Sequence, residues 1–190
     1  SLLDLCEAVA GIGDASLYQA PCWQRSASFA VQLALPDLSG WLNFGDCSRR
    51  GLGGSHLFYA LSSRCGDPLG QWLGNRVTGD PPDCRVGLWD LLYCDPDLPE
   101  QGPETLPTCH GFKSVQLGCC RSDWTPEAVQ FVLKGGSNAW SHCHLDLGSF
   151  VLNAGGEALA VDPGPWPYTP DYWTSVEPPQ STAWHNTLTI

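Results

Sequence analysis

The sequence is poor in positive charge. It holds 9 Lys and Arg residues against 20 Asp and Glu, which gives a formal net charge of −11 over 190 residues. A surface with this balance repels nucleic acid and anionic membranes, because both carry negative charge. We therefore expect neither as a partner of this chain.

Long apolar runs are also missing. No window approaches the roughly 18 uninterrupted apolar residues of a membrane span, so membrane insertion is not expected. No basic start followed by an apolar stretch and a cleavage site marks a signal peptide. The chain contains no Met and opens directly on a helical pattern. These features indicate a fragment or internal segment, and the lack of a targeting signal is then uninformative.

Cysteine is abundant, but its spacing is not diagnostic. The 10 Cys residues include no C-x-x-C pair, which argues against zinc-ribbon and thioredoxin-like sites. An even number permits disulfides in an oxidising compartment, whereas buried free thiols are also common. The sequence leaves both alternatives open.

Helical patterns fill the first half of the chain. Apolar residues at helical spacing predict helices within 1–14, 22–41 and 84–96, the second of them stopping near Pro36. Residues 53–77 predict a helical pair that is broken around Gly66–Pro68. The Pro-, Glu- and Gly-rich stretch 95–108 has no periodicity and is typical of a linker.

Beyond this linker the pattern is that of strands. Short β-branched or aromatic runs bounded by Gly, Pro and Asn occur at 114–124, 128–136, 148–164 and 185–190. Several strands without intervening helices indicate a sandwich or barrel. The predicted fold class is α+β, with a helical segment over 1–105 followed by an antiparallel β-sandwich over 106–190.

The stretch WSHCHLDLGSF places His142, His144 and Asp146 at alternate positions. If the stretch is extended, the three side chains share one face. The following segment 148–164 predicts a hairpin, because the glycines at its centre permit the positive φ of a tight turn. Its returning strand ends at Asp162, which the hairpin brings to the same end of the sheet as His144.

A third potential ligand is His185, at the start of the last predicted strand. Two His and one Asp with one open position form a zinc-type site. The remaining ring nitrogen of a liganding histidine needs an acceptor of its own, and Asp146 is the candidate for this acceptor.

These residues also have ordinary interpretations. Histidines often bond backbone carbonyls, and an H-x-H motif alone carries a real risk of a false match. Asp162 before Pro163–Gly164 is typical of an Asx turn. The aromatic residues of PGPWPYTPDYW suit stacking on a sugar, but equally suit packing within the protein. Spacing alone does not choose between these alternatives.

Several motifs occur in order within residues 118–190, namely K-G-G, H-x-H-x-D-x-G-S-F, V-D-x-G and H-N-T. This ordered set resembles the heparinase II/III family of polysaccharide lyases, at the segment where an α/α toroid meets a β-sandwich. The helical half is similar, more loosely, to the last turns of the toroid through LNFGD and ALSSRCGDPLGQWL. The resemblance implies the C-terminal part of an α/α toroid followed by an antiparallel β-sandwich.

The same resemblance implies a lyase that cleaves uronic-acid-containing glycans by β-elimination. His142 matches the sandwich histidine that faces the substrate and is the candidate catalytic residue. His144, Asp162 and His185 match the family's metal ligands, with zinc the usual ion. Tyr168 matches a tyrosine that follows V-D-x-G and is the candidate substrate contact. The Tyr that acts as base and acid is expected upstream of residue 1.

Other functions remain open on this pattern. A uronyl C5-epimerase uses the same proton abstraction, and a non-catalytic carbohydrate-binding module would use the metal only for stability. A cupin-type metal oxygenase is disfavoured, because its carboxylate is spaced differently from the second histidine. The partner is expected to be an acidic polysaccharide or oligosaccharide, and the few basic residues favour one that is weakly sulfated. The resemblance also implies a periplasmic or secreted protein.

Overall fold

The structure is a computed structural model, and it describes residues 2–47, 49, 51–52, 54–77, 87–139, 142–167, 169–170 and 178–188. The chain divides into two compact units. The first comprises residues 1–32 and 52–106, and the second comprises residues 33–51 and 107–190.

The first unit is helical. Its helices are α1 (Leu2–Gly11), α2 (Trp23–Leu33), α3 (Ser55–Cys65), α4 (Pro68–Val77) and α5 (Leu88–Tyr93), with short 3-10 turns at Ser16–Gln19 and Pro103–Thr105. The core of this unit is formed by Leu3, Cys6, Tyr18, Tyr59, Ala60 and Tyr93. The predicted break in the helical pair is confirmed. Gly66 ends α3 with φ 67°, a left-handed conformation that suits glycine, and α4 starts at Pro68.

The described part of the second unit is built on an antiparallel sheet. Its strands are β1 (Cys109–Phe112), β2 (Leu117–Arg121), β3 (Gln130–Lys134), β4 (Phe150–Ala154) and β5 (Glu157–Ala160). Strands that follow each other in sequence are also neighbours in the sheet. The predicted α+β class is confirmed, as is the hairpin at Gly155 and Gly156, which joins β4 to β5.

One face of the sheet is buried. Cys119, Val132 and Val151 lie side by side on neighbouring strands and pack with Leu35 and Leu42. The side chains that alternate with Val132 along β3 are exposed, which is the period-2 pattern that predicted this strand.

Residues 33–51 form part of the sheet unit, whereas the sequence pattern assigned them to the helical segment. Helix α2 ends at Leu33, before Pro36. The chain then doubles back, with a bridge between Ala34 and Trp41 and a hydrogen bond from Leu42 N to Leu33 O of 3.0 Å. The fold-back presents the side chains of Leu35 and Leu42 to the sheet, and their burial explains the difference.

Residues 185–188 depart from the prediction of a strand at 185–190. Residues 185–188, which are the described part, follow a 3-10 turn at Thr182–Trp184 and are not a strand. The side-chain amide of Asn186 donates to Phe150 O at 3.1 Å and Val161 O at 2.9 Å. Side-chain bonds therefore anchor this segment in place of a backbone ladder. Among the described helices, none has the length and apolar character needed to cross a bilayer.

Candidate functional site

His144, Asp162 and His185 converge in the sheet unit. One potential ligand atom from each lies within 4.8 Å of the others, and all three residues are buried. The two imidazole rings have centroids 5.2 Å apart. The structure therefore brings together the three residues predicted as metal ligands.

The loop between β3 and β4 places His144. Its backbone is held to the end of β3, where Lys134 N donates to Ser149 O and Gly148 N donates to Lys134 O, each at 2.8 Å. Within the same loop, Lys134 Nζ contacts the two carboxylate oxygens of Asp146 at 2.7 and 2.6 Å. Backbone and side chain of one lysine thus fix the loop that carries the histidine.

Asp146 does not take the role predicted for it. Its carboxylate was expected to accept a hydrogen bond from a liganding histidine, but Lys134 binds both of its oxygens. The physical reason is burial: the Asp146 side chain is 0% exposed and that of Lys134 is 10% exposed. A buried carboxylate requires a paired charge, and the lysine supplies it.

His185 reaches the site because its segment is bonded to the same loop. Thr182 Oγ1 donates to Leu145 O at 2.8 Å, and Thr187 Oγ1 donates to Leu147 O at 2.6 Å. These bonds flank His185 on both sides. Its position therefore depends on the loop that carries the other histidine.

Asp162 takes part both in an Asx turn and in the cluster with the two histidines. Its Oδ1 accepts from Gly164 N at 3.0 Å, as in an Asx turn. Its Oδ2 lies 2.7 Å from His185 Nδ1. Its backbone carbonyl accepts from Asn43 Nδ2 at 2.5 Å. The carboxylate is thus oriented by the turn and shared with the site.

Three nitrogens of the site have no hydrogen-bond partner among the described residues. They are Nδ1 and Nε2 of His144 and Nε2 of His185, and all are buried. Asp46 Oδ1 lies 3.5 Å from Nε2 of His144 without forming a hydrogen bond. An unpaired buried polar group costs about 1–3 kcal/mol. Two such imidazoles beside a carboxylate match the ligand preferences of zinc, so the residues present fit this ion.

His142 lies apart from this cluster. Its φ is 60°, so the segment turns here and is not the extended strand that would place His142 and His144 on one face. The side chain is 72% exposed, and its Nδ1 lies 2.7 Å from Asp46 Oδ2. Gly45, which precedes Asp46, has φ 59°, and a Cβ at this position would lie 2.8 Å from the His142 carbonyl oxygen. A glycine is therefore required where the two segments meet.

Asp46 is the site residue that sequence reasoning missed. It ends the LNFGD motif, which pointed only to a resemblance and to no role for this carboxylate. Asp46 also affects its neighbour. The pKa of the Cys47 thiol is raised, chiefly by desolvation and next by the negative charge of Asp46. The signal available in the sequence was the Gly-Asp pair after an apolar run, which is too common to identify a site.

Aromatic side chains lie next to the cluster in sequence. Trp166 and Trp184 have ring centroids 6.3 Å apart and are 45% and 50% exposed. Tyr168, the predicted substrate contact, lies outside the described residues, as do residues 171–177. Trp166, which belongs to the PGPWPYTPDYW motif, is therefore partly exposed and is not part of the core.

Residues 119–190 match the family model described as Heparinase II/III-like, C-terminal. This segment is similar to the C-terminal domain of heparinase II/III-like proteins. The resemblance predicted from the order of the motifs is thereby confirmed, and His142, His144, Asp162 and His185 lie within the matched residues, whereas Asp46 does not. A comparison with curated protein sequences finds no match.

Solved structures of heparinase II/III-like proteins share the fold. The heparinase III-BT4657 gene product aligns with a TM-score of 0.60 at 21% identity, over 86% of this chain and 23% of that chain. A structure titled heparinase III aligns with a TM-score of 0.53 at 14% identity, over 74% and 21%. Heparan sulfate lyase HepC from Pedobacter heparinus aligns with a TM-score of 0.50 at 19% identity, over 74% and 19%.

The alignments also give the share of each solved structure that this chain covers. The chain spans about a fifth of the length of the solved structures that it resembles. At the level of the family the chemistry is that of a polysaccharide lyase.

Proposed function

We propose that this chain is part of a polysaccharide lyase that cleaves uronic-acid-containing glycans by β-elimination. The observation that carries the proposal is the convergence of His144, Asp162 and His185 within a heparinase II/III-like domain that also presents an exposed, oriented His142. The family match supports the reaction class, and the geometry supports the choice of residues.

β-Elimination makes defined demands on a site. A base removes the C5 proton of the uronate, the C4–O bond breaks, a C4–C5 double bond forms and the leaving oxygen takes up a proton. The C5 proton is weakly acidic while the adjacent carboxylate is charged, so hydrogen-bond donors must neutralise that carboxylate. Because Asp46 holds Nδ1 of His142, its Nε2 is left to contact the substrate.

We infer that His144, Asp162 and His185 hold one divalent metal, zinc. Their unpaired buried nitrogens support this inference. A zinc ion there would supply positive charge to a buried cluster that contains a carboxylate. The three ligands come from the β3–β4 loop, the end of β5 and the segment after Thr182, so binding joins three otherwise separate stretches of chain.

The basic residues near the motif favour a weakly sulfated substrate. Lys134 is committed to Asp146. Arg121 is buried, donates to Ala34 O at 3.2 Å and stacks 4.2 Å from the Trp124 ring centre. Burial also lowers the pKa of Arg121 to about 10. Neither side chain is available as a charge-assisted donor to sulfate.

The exposed pair Trp166 and Trp184 favours a second candidate, carbohydrate binding without turnover. Indole faces suit contact with sugar rings, and a buried metal cluster also suits a purely structural role. The two candidates differ in product. Only the lyase releases an unsaturated uronate, which absorbs in the ultraviolet, whereas a binding module shows saturable glycan binding alone.

Replacing His142 with alanine tests the lyase proposal. In the longer protein that includes the upstream helices, we expect turnover of a uronate polymer to fall about 10²–10⁴-fold, the range for loss of a positioned proton-transfer or donor group. Zinc content should not change, because His142 is outside the ligand set. Product absorbance and elemental analysis measure the two quantities.

The exposed Leu145→Ala serves as a matched control for His142→Ala in the same loop and should retain turnover. Unchanged turnover in His142→Ala would contradict the catalytic assignment. Exchange of the C5 proton with solvent without cleavage would instead identify an epimerase.

Asp46→Asn tests whether Asp46 orients His142. The substitution preserves size but removes the charge, and we expect turnover to fall by about 10–100-fold, as is typical when a supporting partner of a site residue is lost. The drop should lie in kcat more than in KM, with zinc content retained. Asp37→Asn, in the same fold-back, is the control. Loss of zinc from Asp46→Asn would place Asp46 among the metal ligands.

A further inference from the structure

Cys109 and Cys120 lie directly opposite each other on β1 and β2. The next position along is a hydrogen-bonded one, since Arg121 N donates to Thr108 O at 2.8 Å. Hydrogen-bonded and non-hydrogen-bonded positions alternate in an antiparallel ladder, so the cysteine pair occupies a non-hydrogen-bonded position. Cα atoms there lie about 4.5 Å apart, within the span of about 4.4–6.8 Å that a disulfide bridges.

Both thiols are free and exposed. Directly opposite residues project from the same face of a sheet, so the two sulfurs face each other across one ladder. A hydrogen bond between the two thiols is the largest of the effects that raise the pKa of Cys120. Within the described sheet, β1 is an edge strand, which leaves the pair open to a reagent.

The adjacent Cys119 differs on each of these points. It is buried, and its side chain lies on the opposite face, in the core with Val132 and Val151. Burial raises the pKa of its thiol to about 12. Because the thiolate is the reactive form, Cys119 is unreactive while its neighbour in sequence is accessible. The Cys-Cys dipeptide therefore contains one buried thiol and one accessible thiol.

We propose that Cys109 and Cys120 form a disulfide by exchange with a disulfide oxidant, such as oxidised glutathione. One thiolate attacks the oxidant, which gives a mixed disulfide and releases one thiol. The second thiolate attacks the mixed disulfide and releases the other. The pair loses two protons and two electrons, and the oxidant gains them as two thiols. The product fixes edge strand β1 to β2 and does not depend on the proposed lyase activity.

Oxidised glutathione added to the reduced chain under native conditions tests the proposal. Trypsin cleaves after Lys113, between the two cysteines, so a disulfide keeps the two peptides joined. We expect this joined pair to be the dominant product in the wild-type chain and in Cys22→Ser, which removes another exposed thiol. Cys109→Ser and Cys120→Ser should each give separate peptides, with glutathione on the remaining thiol.

Cys119 and Cys120 lie on one tryptic peptide, so fragment sequencing of the joined wild-type pair locates the bond directly. This measurement needs no variant and is independent of any effect on folding. A bond to Cys119, a joined pair that persists in Cys120→Ser, or glutathione on both Cys109 and Cys120 without a bond between them would overturn the proposal.

Discussion

His144→Ala is expected to lose bound metal and stability together. His144 is buried and its two ring nitrogens have no hydrogen-bond partner in the described part of the chain. Removal of one of three ligands leaves only His185 and Asp162, fewer than the three protein ligands of an open zinc site. Zinc at 100 times its dissociation constant stabilises a folded protein by about 2.7 kcal/mol, and this contribution is lost with the metal.

Elemental analysis after dialysis against zinc, and urea unfolding with and without a chelator, measure both effects. His142→Ala is the matched control, because the same substitution two residues away falls on a 72% exposed side chain. The chelator should lower the unfolding midpoint of the wild type and of His142→Ala, but not that of His144→Ala. Wild-type zinc content in His144→Ala would show that the three residues do not form a metal site.

The site was predictable where its geometry follows from local pattern. Gly155 and Gly156 fix the hairpin, and the hairpin fixes the end of the sheet at which Asp162 emerges. The order of the motifs supplied His144 and His185. These three residues depend on short-range turn chemistry and on one resemblance, both of which are visible in the sequence.

The Asp46–His142 pair could not be predicted, because it depends on a long-range contact. It depends on residues 33–51 leaving the helical pattern and packing on the sheet, and their apolar residues suit a helix as well as a fold-back. Only the long-range contact of Leu35 and Leu42 with the sheet decides between the two. Local periodicity carries no information about that partner.

Strand assignment shows the same limit. Residues 109–112 read CHGF, a short run with little strand propensity, yet they form β1 because β2 provides a ladder. The sequence at 185–190 alternates like a strand, but in the described residues 185–188 the Asn186 side chain bonds the backbone of the sheet in place of a ladder. Backbone pairing, more than strand propensity, determined the structure of both segments.

Lys134→Met is expected to destabilise the chain by about 3–5 kcal/mol, the cost of leaving a buried charge without its partner. The Asp146 side chain is 0% exposed, so its carboxylate would be buried without the Lys134 cation. Urea unfolding measures the change in free energy. The double variant Lys134→Met with Asp146→Leu removes both charges and should recover much of the loss, which a double-mutant cycle quantifies.

A surface ion pair in the same chain provides the control for this buried one. Arg76 and Glu100 are 3.3 Å apart with side chains 40% and 43% exposed, and Glu100→Gln should cost only about 0–1 kcal/mol. Zinc content then separates two roles of the buried pair. If Asp146 acts by holding the loop that carries His144, Lys134→Met should weaken zinc binding although no ligand is altered. Full zinc affinity in a destabilised Lys134→Met would show that the ion pair supports the sheet unit but does not position its metal ligands.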